Sequence, residues 1–402
     1  MNGERVALFI PHLTGGGAER KVSNLSLHLS KKGISVSLLL YDTSKVDYPW
    51  EGEIVDLGYT PAPGDNPISK MGKIYTCISK VRKLKRNSKL DATVSFLTGP
   101  NIFNIFSRGH GKTIITACSH MSSELRFAGP RGIMDSLMIR RFYGKADLIV
   151  SVSRSVKDDL VENFGLDSER IKVIYNPIDI DRIRTLSKEE LEGRFQDIFD
   201  AGPVVINVGR LVEPKGQWHL IKAFNKVSSE MPDAQLIILG EGQMRDRLTT
   251  LARSLGLENN VHILGFQNNP FKFMARSELF VLSSLWEGLG NTTLESMACG
   301  TPVLTTDCSG GSREILSPDS IGDQSVEDIE HGEYGFLTPP LEGIDYFNAS
   351  TFTRNESILA EGILGILQDD HLKKKYSQAS VRRVQCFDAS AIASEWIKVM
   401  IG

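Results

Sequence analysis

Ser283-Ser284-Leu285-Trp286-Glu287-Gly288-Leu289-Gly290-Asn291-Thr292-Thr293-Leu294-Glu295 follows directly on the apolar run Leu279–Leu282. The pair reads as the end of a buried strand, a loop broken at Gly288 and Gly290, and the start of a helix. Glu287 and Glu295 flank that loop. On one continuous helix they would lie about 12 Å apart along the axis and about 80° out of line, too far to share a small ligand. The glycines argue against such a helix. The turn they allow brings Glu287 back over the helix N-terminus, where free N–H groups and the positive end of the dipole suit a phosphate. Thr292-x-x-Glu295 is also a capping box, in which Glu295 only satisfies the first helical turn. These residues by themselves leave both readings open.

The same strand–glycine–helix unit recurs through the second half of the chain. Val204–Val208 runs into Gly209-Arg210-Leu211-Val212-Glu213-Pro214-Lys215-Gly216, and Leu236–Leu239 into Gly240-Glu241-Gly242. Val261–Leu264 runs into Gly265-Phe266-Gln267, and Pro302–Thr305 into Ser309-Gly310-Gly311. One glycine-rich turn is weak evidence. Five after successive strands predict a parallel sheet with a ligand at the strands' C-terminal ends.

The first half has the same rhythm. Val6–Pro11 leads into Gly15-Gly16-Gly17 and an amphipathic helix carrying Val22, Leu25, Leu27 and Leu29. Further strands are expected at Val36–Tyr41, Ala92–Leu97, Thr113–Cys118 and Leu148–Val152. The first turn is not GxGxxG, and Asp42 follows its strand too soon to be a ribose ligand, so this half is not expected to bind a dinucleotide. The polar run Thr185–Gly202 marks the expected junction. Domains are therefore predicted at 1–184 and 185–387, with a last helix, 388–402, packing back on the first. Asp179-Ile180-Asp181 has the form of a metal-diphosphate DxD, but an Asp-rich turn before Arg182 more simply opens a helix, and no metal is expected.

Composition narrows the class. At 402 residues two or three domains are expected, and no apolar run is long enough for a membrane span. Met1-Asn2-Gly3-Glu4-Arg5 has no leader pattern, and the five scattered cysteines lack CxxC spacing, which together predict a cytoplasmic protein with reduced thiols. Residues 1–179 hold 25 Lys and Arg against 18 Asp and Glu; the remainder hold 21 against 31. Two basic apolar stretches, 70–89 and 126–145, fit an anionic membrane surface, or equally a core-facing stripe with a solvated charged face. The second stretch favours membrane contact. Nucleic acid is not expected, for want of interleaved aromatics.

Taken together, Gly209-Arg210-Leu211…Lys215-Gly216, Gly240-Glu241-Gly242 and Glu287-Gly288-Leu289-Gly290-Asn291 with Glu295 resemble the retaining glycosyltransferases of family 4. The likeness is close over about residues 200–340 and looser in the first half, through Gly15–Gly17, His120 and Asn176-Pro177. It implies the GT-B fold: two Rossmann-like doubly wound α/β domains facing across a cleft. It implies that Arg210 and Lys215 hold the donor diphosphate, without cofactor or metal, and that Glu295 takes the ribose hydroxyls. Glu287 and His120 would meet the donor sugar. The amides of Gly288, Leu289, Gly290, Asn291 and Thr292 would lie beside it, with Gly240 and Glu241 nearby. Phe266 and Gln267 would bind the base, and Gly16 and Gly17 would approach the diphosphate or acceptor.

The reading that follows is a retaining, metal-independent transfer of a hexose or N-acetylhexosamine from a nucleoside diphosphate, with UDP expected. The acceptor would be a lipid-linked or surface glycan, as in polysaccharide or lipopolysaccharide biosynthesis, at the inner membrane face. The alternatives are a UDP-sugar 2-epimerase of similar fold and a sugar-nucleotide-binding scaffold. One departure from the family is an acidic insert (Asp319, Asp323, Glu327, Asp328, Glu330, Glu333), read as a surface elaboration.

Overall fold

The computed structural model describes residues 3–44, 46–62, 64–320, 325–343 and 347–402. Two compact units form: Met1–Pro177 with Phe387–Gly402, and Ile178–Cys386. Each is built on a seven-stranded sheet with helical crossovers.

In the first unit the strands are β1 (Arg5–Ile10), β2 (Ser35–Leu40), β3 (Glu53–Asp56), β4 (Ala92–Ser95), β5 (Lys112–Ala117), β6 (Leu148–Ser151) and β7 (Ile171–Val173). All pair in parallel, in the order β3-β2-β1-β4-β5-β6-β7. Alternate residues of β1 serve opposite faces, which is why the strand reads as continuously apolar. Val6, Leu8 and Ile10 pack with Val22, Leu25 and Leu29 of the helix Gly17–Lys31, and Ala7 and Phe9 pack with Cys77, Val81 and Phe103. The helix Ala389–Met400 belongs to this unit. Its Trp396 is fully buried with its ring centroid 6.2 Å from that of Phe96. Losing a buried aromatic of that size costs about 3–5 kcal/mol, so this helix is fastened down firmly.

Lys21 is an oddity in that core. It is 2% exposed, and its Nζ has no hydrogen-bond partner among the described residues. It lies 5.2 Å from the Trp396 ring centroid and 5.7 Å from that of Phe96. Burial pushes its pKa down from 10.5, with Cys118 opposing the shift. An unpaired buried ammonium is costly, so Lys21→Met should raise stability by about 1–3 kcal/mol in urea unfolding. The unfolded chain holds the Lys21 proton more tightly than the folded one. The native protein's stability should therefore gain an increment as pH rises towards 10.5, and Lys21→Met should lack it.

The second unit contains β8 (Val204–Val208), β9 (Gln235–Leu239), β10 (Val261–Gly265), β11 (Leu279–Leu282), β12 (Val303–Thr306), β13 (Glu330–His331) and β14 (Phe336–Thr338). Their order is β10-β9-β8-β11-β12-β14-β13, and only the short β13 runs antiparallel, against β14. The polar run expected to carry the junction is folded onto this unit. The helix Ile180–Leu186 packs on the helix Asn291–Cys299, and Asn269 Nδ2 donates to Leu186 O at 2.8 Å. The helix Gly193–Ala201 buries Phe195 against Phe273. The unit boundary thus falls between Pro177 and Ile178, ahead of residue 184.

The acidic insert is more than surface elaboration. Glu330 forms β13, and its Oε2 accepts from Arg313 Nη1 at 3.1 Å. Arg313 also forks onto Asp307, at 2.6 Å from Nη2 and 3.3 Å from Nε. The insert therefore ties the end of β12 to the sheet edge. Asp323 lies outside the described residues.

Candidate active site

In the second sheet the chain reverses its direction of travel between β8 and β11, and in open parallel sheets ligands bind where the strand order switches. The segment leaving β8 is bound to its neighbour: Gly209 N donates to Leu239 O, and Leu211 N to Glu241 O, each at 2.9 Å. Only glycine fits at 240. Its φ is +144°, and a Cβ there would lie 1.9 Å from Gly209 O. From this segment Arg210 extends into solvent, its guanidinium in no hydrogen bond or ion pair among the described residues. Its carbonyl accepts from Gln217 Nε2 at 3.1 Å, which fixes the backbone beneath it.

Lys215 follows in a short 3-10 turn and pairs through Nζ with Glu287 Oε1, from the loop after β11. The two side chains are 19% and 11% exposed, so water screens the pair only partly. Ser284 Oγ donates to the same Glu287 oxygen at 2.6 Å. The two loops are also joined through their backbones. Leu285 N donates to Pro214 O at 2.8 Å, and Ser283 Oγ to Lys215 O at 3.0 Å. From the far side, Glu287 N donates to Ser309 O at 2.8 Å, placing the loop after β12 behind the carboxylate.

The helix Asn291–Cys299 starts earlier than its sequence suggests. Gly290, at φ +90°, is the N-cap, and no side chain caps the helix. Thr292 therefore lies inside the first turn, and its Oγ1 has no hydrogen-bond partner among the described residues. The capping box, one of the two readings the sequence left open for Thr292 and Glu295, does not form. That reading required a helix beginning after Thr292, and the left-handed conformation open to Gly290 moves the start upstream. Glu295 is 4% exposed. Burial, with Glu295's charge second, pushes the nearby Cys299 thiol up to about 12.

Glu241 sits at the end of β9, half exposed and paired with Arg245. Phe266 follows β10 and is 59% exposed, while Gln267 Nε2 folds back to donate to Leu264 O at 3.0 Å. Gly288 and Leu289 are buried, with Leu289 against Gly311. The second unit thus gathers Arg210, Lys215, Gly240, Glu241, Phe266, Gln267 and the 287–295 segment at one end of one sheet.

Gly16, Gly17 and His120 belong to the first unit. Gly16 is the N-cap of the helix after β1, and His120 precedes the helix Met121–Phe127 after β5. His120 Nδ1 lies 2.9 Å from Ser123 Oγ and 3.8 Å from Asp159 Oδ1. Burial pushes the imidazole pKa down and Asp159 opposes the shift, so the ring is neutral near pH 7. Asp159 is itself held by Ser122 N at 3.0 Å and Asn163 Nδ2 at 2.9 Å. Sequence reading missed Asp159 and Ser284, whose partners only folding identifies. Asp179 accepts from Arg182 N at 3.1 Å and so caps the helix Ile180–Leu186.

Comparison with known proteins gives this geometry a family. Residues 189–330 match the model for glycosyl transferases group 1, and residues 15–182 match that for glycosyltransferase family 4. A Campylobacter jejuni enzyme named N-acetylgalactosamine-N,N'-diacetylbacillosaminyl-diphospho-undecaprenol 4-alpha-N-acetylgalactosaminyltransferase is 32% identical over 402 residues, covering 99% of this chain and 100% of its own. The chain belongs to glycosyltransferase family 4. An uncharacterized glycosyltransferase of Methanocaldococcus jannaschii is 34% identical over 337 residues, 82% of this glycosyltransferase and 83% of that one. In fold, the glycosyltransferase is similar to Anabaena HepE, solved with UDP and glucose, at a TM-score of 0.73 and 21% identity, with 98% of each chain covered. Its architecture is GT-B, with both sheets doubly wound.

Proposed function

We propose that this glycosyltransferase moves a hexose or N-acetylhexosamine from UDP to a lipid-linked glycan, with retention and without a metal ion. The observation that carries the reading is the arrangement at the ends of β8 and β11, where an exposed Arg210 stands on the same loop as Lys215, already paired with Glu287. Departing UDP develops negative charge on its diphosphate, and two cations on one loop would stabilise it where it forms. Glu287 would accept hydrogen bonds from sugar hydroxyls, and Glu295 from the ribose. Phe266 and Gln267 would lie along the base. Neutral His120, with Nδ1 engaged, would offer Nε2 to the sugar. In the substitution, the bond from C1 to the diphosphate oxygen breaks as the acceptor oxygen bonds C1 from the same face. The acceptor's proton passes to the leaving phosphate. Trapping a covalent glycosyl-enzyme would contradict that path.

Related proteins support the substrates: the Campylobacter relative is named for transfer onto a diphospho-undecaprenol-linked sugar, and HepE was solved with UDP and glucose. The test is a panel of UDP- and GDP-sugars with a polyprenyl-diphosphate-linked glycan. The expected result is UDP release and a lipid heavier by one sugar. An epimerised UDP-sugar formed without acceptor would overturn the proposal.

A lipid-linked acceptor places the enzyme at a membrane, and the first unit has a surface suited to one. No described helix is long and apolar enough to cross a bilayer. The helix Pro67–Asn87 exposes Ile68 (83%), Met71 (71%) and Tyr75 (74%), beside exposed Lys70, Lys83 and Arg86 and with no acid along its length. The helix Gly129–Phe142 exposes Ile133, Met134 and Leu137. Apolar faces ringed by cations suit an anionic interface. Flotation with anionic liposomes should carry the native protein upward. Replacing Ile68, Met71 and Tyr75 by Ser should lower the bound fraction about tenfold or more, since each apolar side chain contributes about 1 kcal/mol or more. Equal flotation of both proteins would remove this surface from the account.

A further inference from the structure

We infer that Ser284 is the positioning residue for Glu287, deciding which carboxylate oxygen meets the donor sugar. The inference rests on the proposed role of Glu287 as a sugar ligand. Ser284 is fully buried at the end of β11, and its backbone is fixed from β12, where Thr306 Oγ1 donates to Ser284 O at 2.6 Å. Its own hydroxyl donates to Glu287 Oε1 at 2.6 Å, the oxygen that Lys215 also holds. The second oxygen, Oε2, accepts no hydrogen bond among the described residues. The carboxylate is therefore bound on one side only. Oε1 is committed to protein donors, and Oε2 is the oxygen left to accept from a hydroxyl.

Ser284 matters most when a donor arrives. Lys215 then has two anions to satisfy, the carboxylate and the diphosphate, and its long, flexible stem lets the ammonium shift between them. The Ser284 hydroxyl has no second task and sits on a backbone held by Thr306 of β12. It holds Oε1 in place while Lys215 turns to the phosphate. Ser283 complements it, since its hydroxyl holds the Lys215 carbonyl at 3.0 Å, so adjacent serines fix both partners of the pair.

The test is a double-mutant cycle on the full chain, read as kcat and KM for the UDP-sugar. Ser284→Ala should lower kcat about 10- to 100-fold, the worth of one hydrogen bond to a charged group, while KM for the acceptor is unchanged. Ser284→Cys keeps the shape without the strong donor and should fall in the same direction, which separates lost bonding from a lost fit. With Glu287→Gln already in place, adding Ser284→Ala should cost less than about twofold, because its effect passes through that carboxylate. Full additivity of the two losses, or a native kcat in Ser284→Ala, would overturn the inference. If Glu287→Gln itself turned over normally, the sugar-ligand reading would fail instead.

Discussion

Lys215→Ala is expected to lower kcat by about 10²–10³-fold, the loss seen when one fixed charge-stabilising donor is removed from a reacting centre. Its ammonium is held by Glu287 and its backbone carbonyl by Ser283, so it stands at the loop ends before any donor binds and has only to shift from the carboxylate to the diphosphate. Such preorganisation is what makes a cation effective at a leaving group, because little has to reorient as charge develops. The variant should also lose about 1–3 kcal/mol of stability, since Glu287 keeps Ser284 but loses its counter-charge at 11% exposure. That is small beside the catalytic loss, and the variant should remain folded at 25 °C. Arg210→Ala should differ in kind. Its guanidinium has no partner to strand, so activity should fall with no change in melting temperature.

The place of those two residues after a strand end was legible in the sequence, because glycines flank their segment; their role came only from the family resemblance. The buried central strands were legible from their composition: Val6–Ile10 and Leu279–Leu282 are apolar on both faces. Two of the edge strands carry no such mark. Glu53–Asp56 is half exposed, and Glu330–His331 has two residues, so neither presents an apolar run to read. The helix Gly193–Ala201 hid inside a polar stretch because it buries only Phe195. The capping box failed for a different reason. Its pattern was present, but a backbone angle at Gly290, invisible in a residue list, decided where the helix began. Asp159 lies 39 positions from His120, and only the fold brings them together.

Gly240→Ala should be the most damaging small change in the second unit. The substitution asks a residue with a side chain to adopt φ +144° and places its Cβ 1.9 Å from Gly209 O, a backbone atom that cannot swing aside. Angular strain and overlap together should cost at least about 3 kcal/mol. For a unit of this size that lowers the melting temperature by about 6–12 °C. The displaced segment carries Arg210, so activity should fall with stability. Gly365→Ala is the control. It lies within the helix Arg354–Leu367 with nothing within 4 Å of an added Cβ, and should be neutral or stabilising by about 0.5–1 kcal/mol. An equal melting temperature for the two variants would mean that the β8 and β9 loops are not held as close as described.

The central claim is that the ends of β8 and β11 form the donor site, with Lys215 serving the diphosphate and Glu287 the sugar. Calorimetric titration of UDP into the native protein, Lys215→Ala and Glu287→Ala tests that division of labour most directly. The account predicts UDP binding at least about tenfold weaker in Lys215→Ala, the worth of one charge-assisted contact. Glu287→Ala should bind UDP about as well as the native protein while losing turnover of the UDP-sugar. UDP binding that Lys215→Ala leaves unchanged would contradict the account.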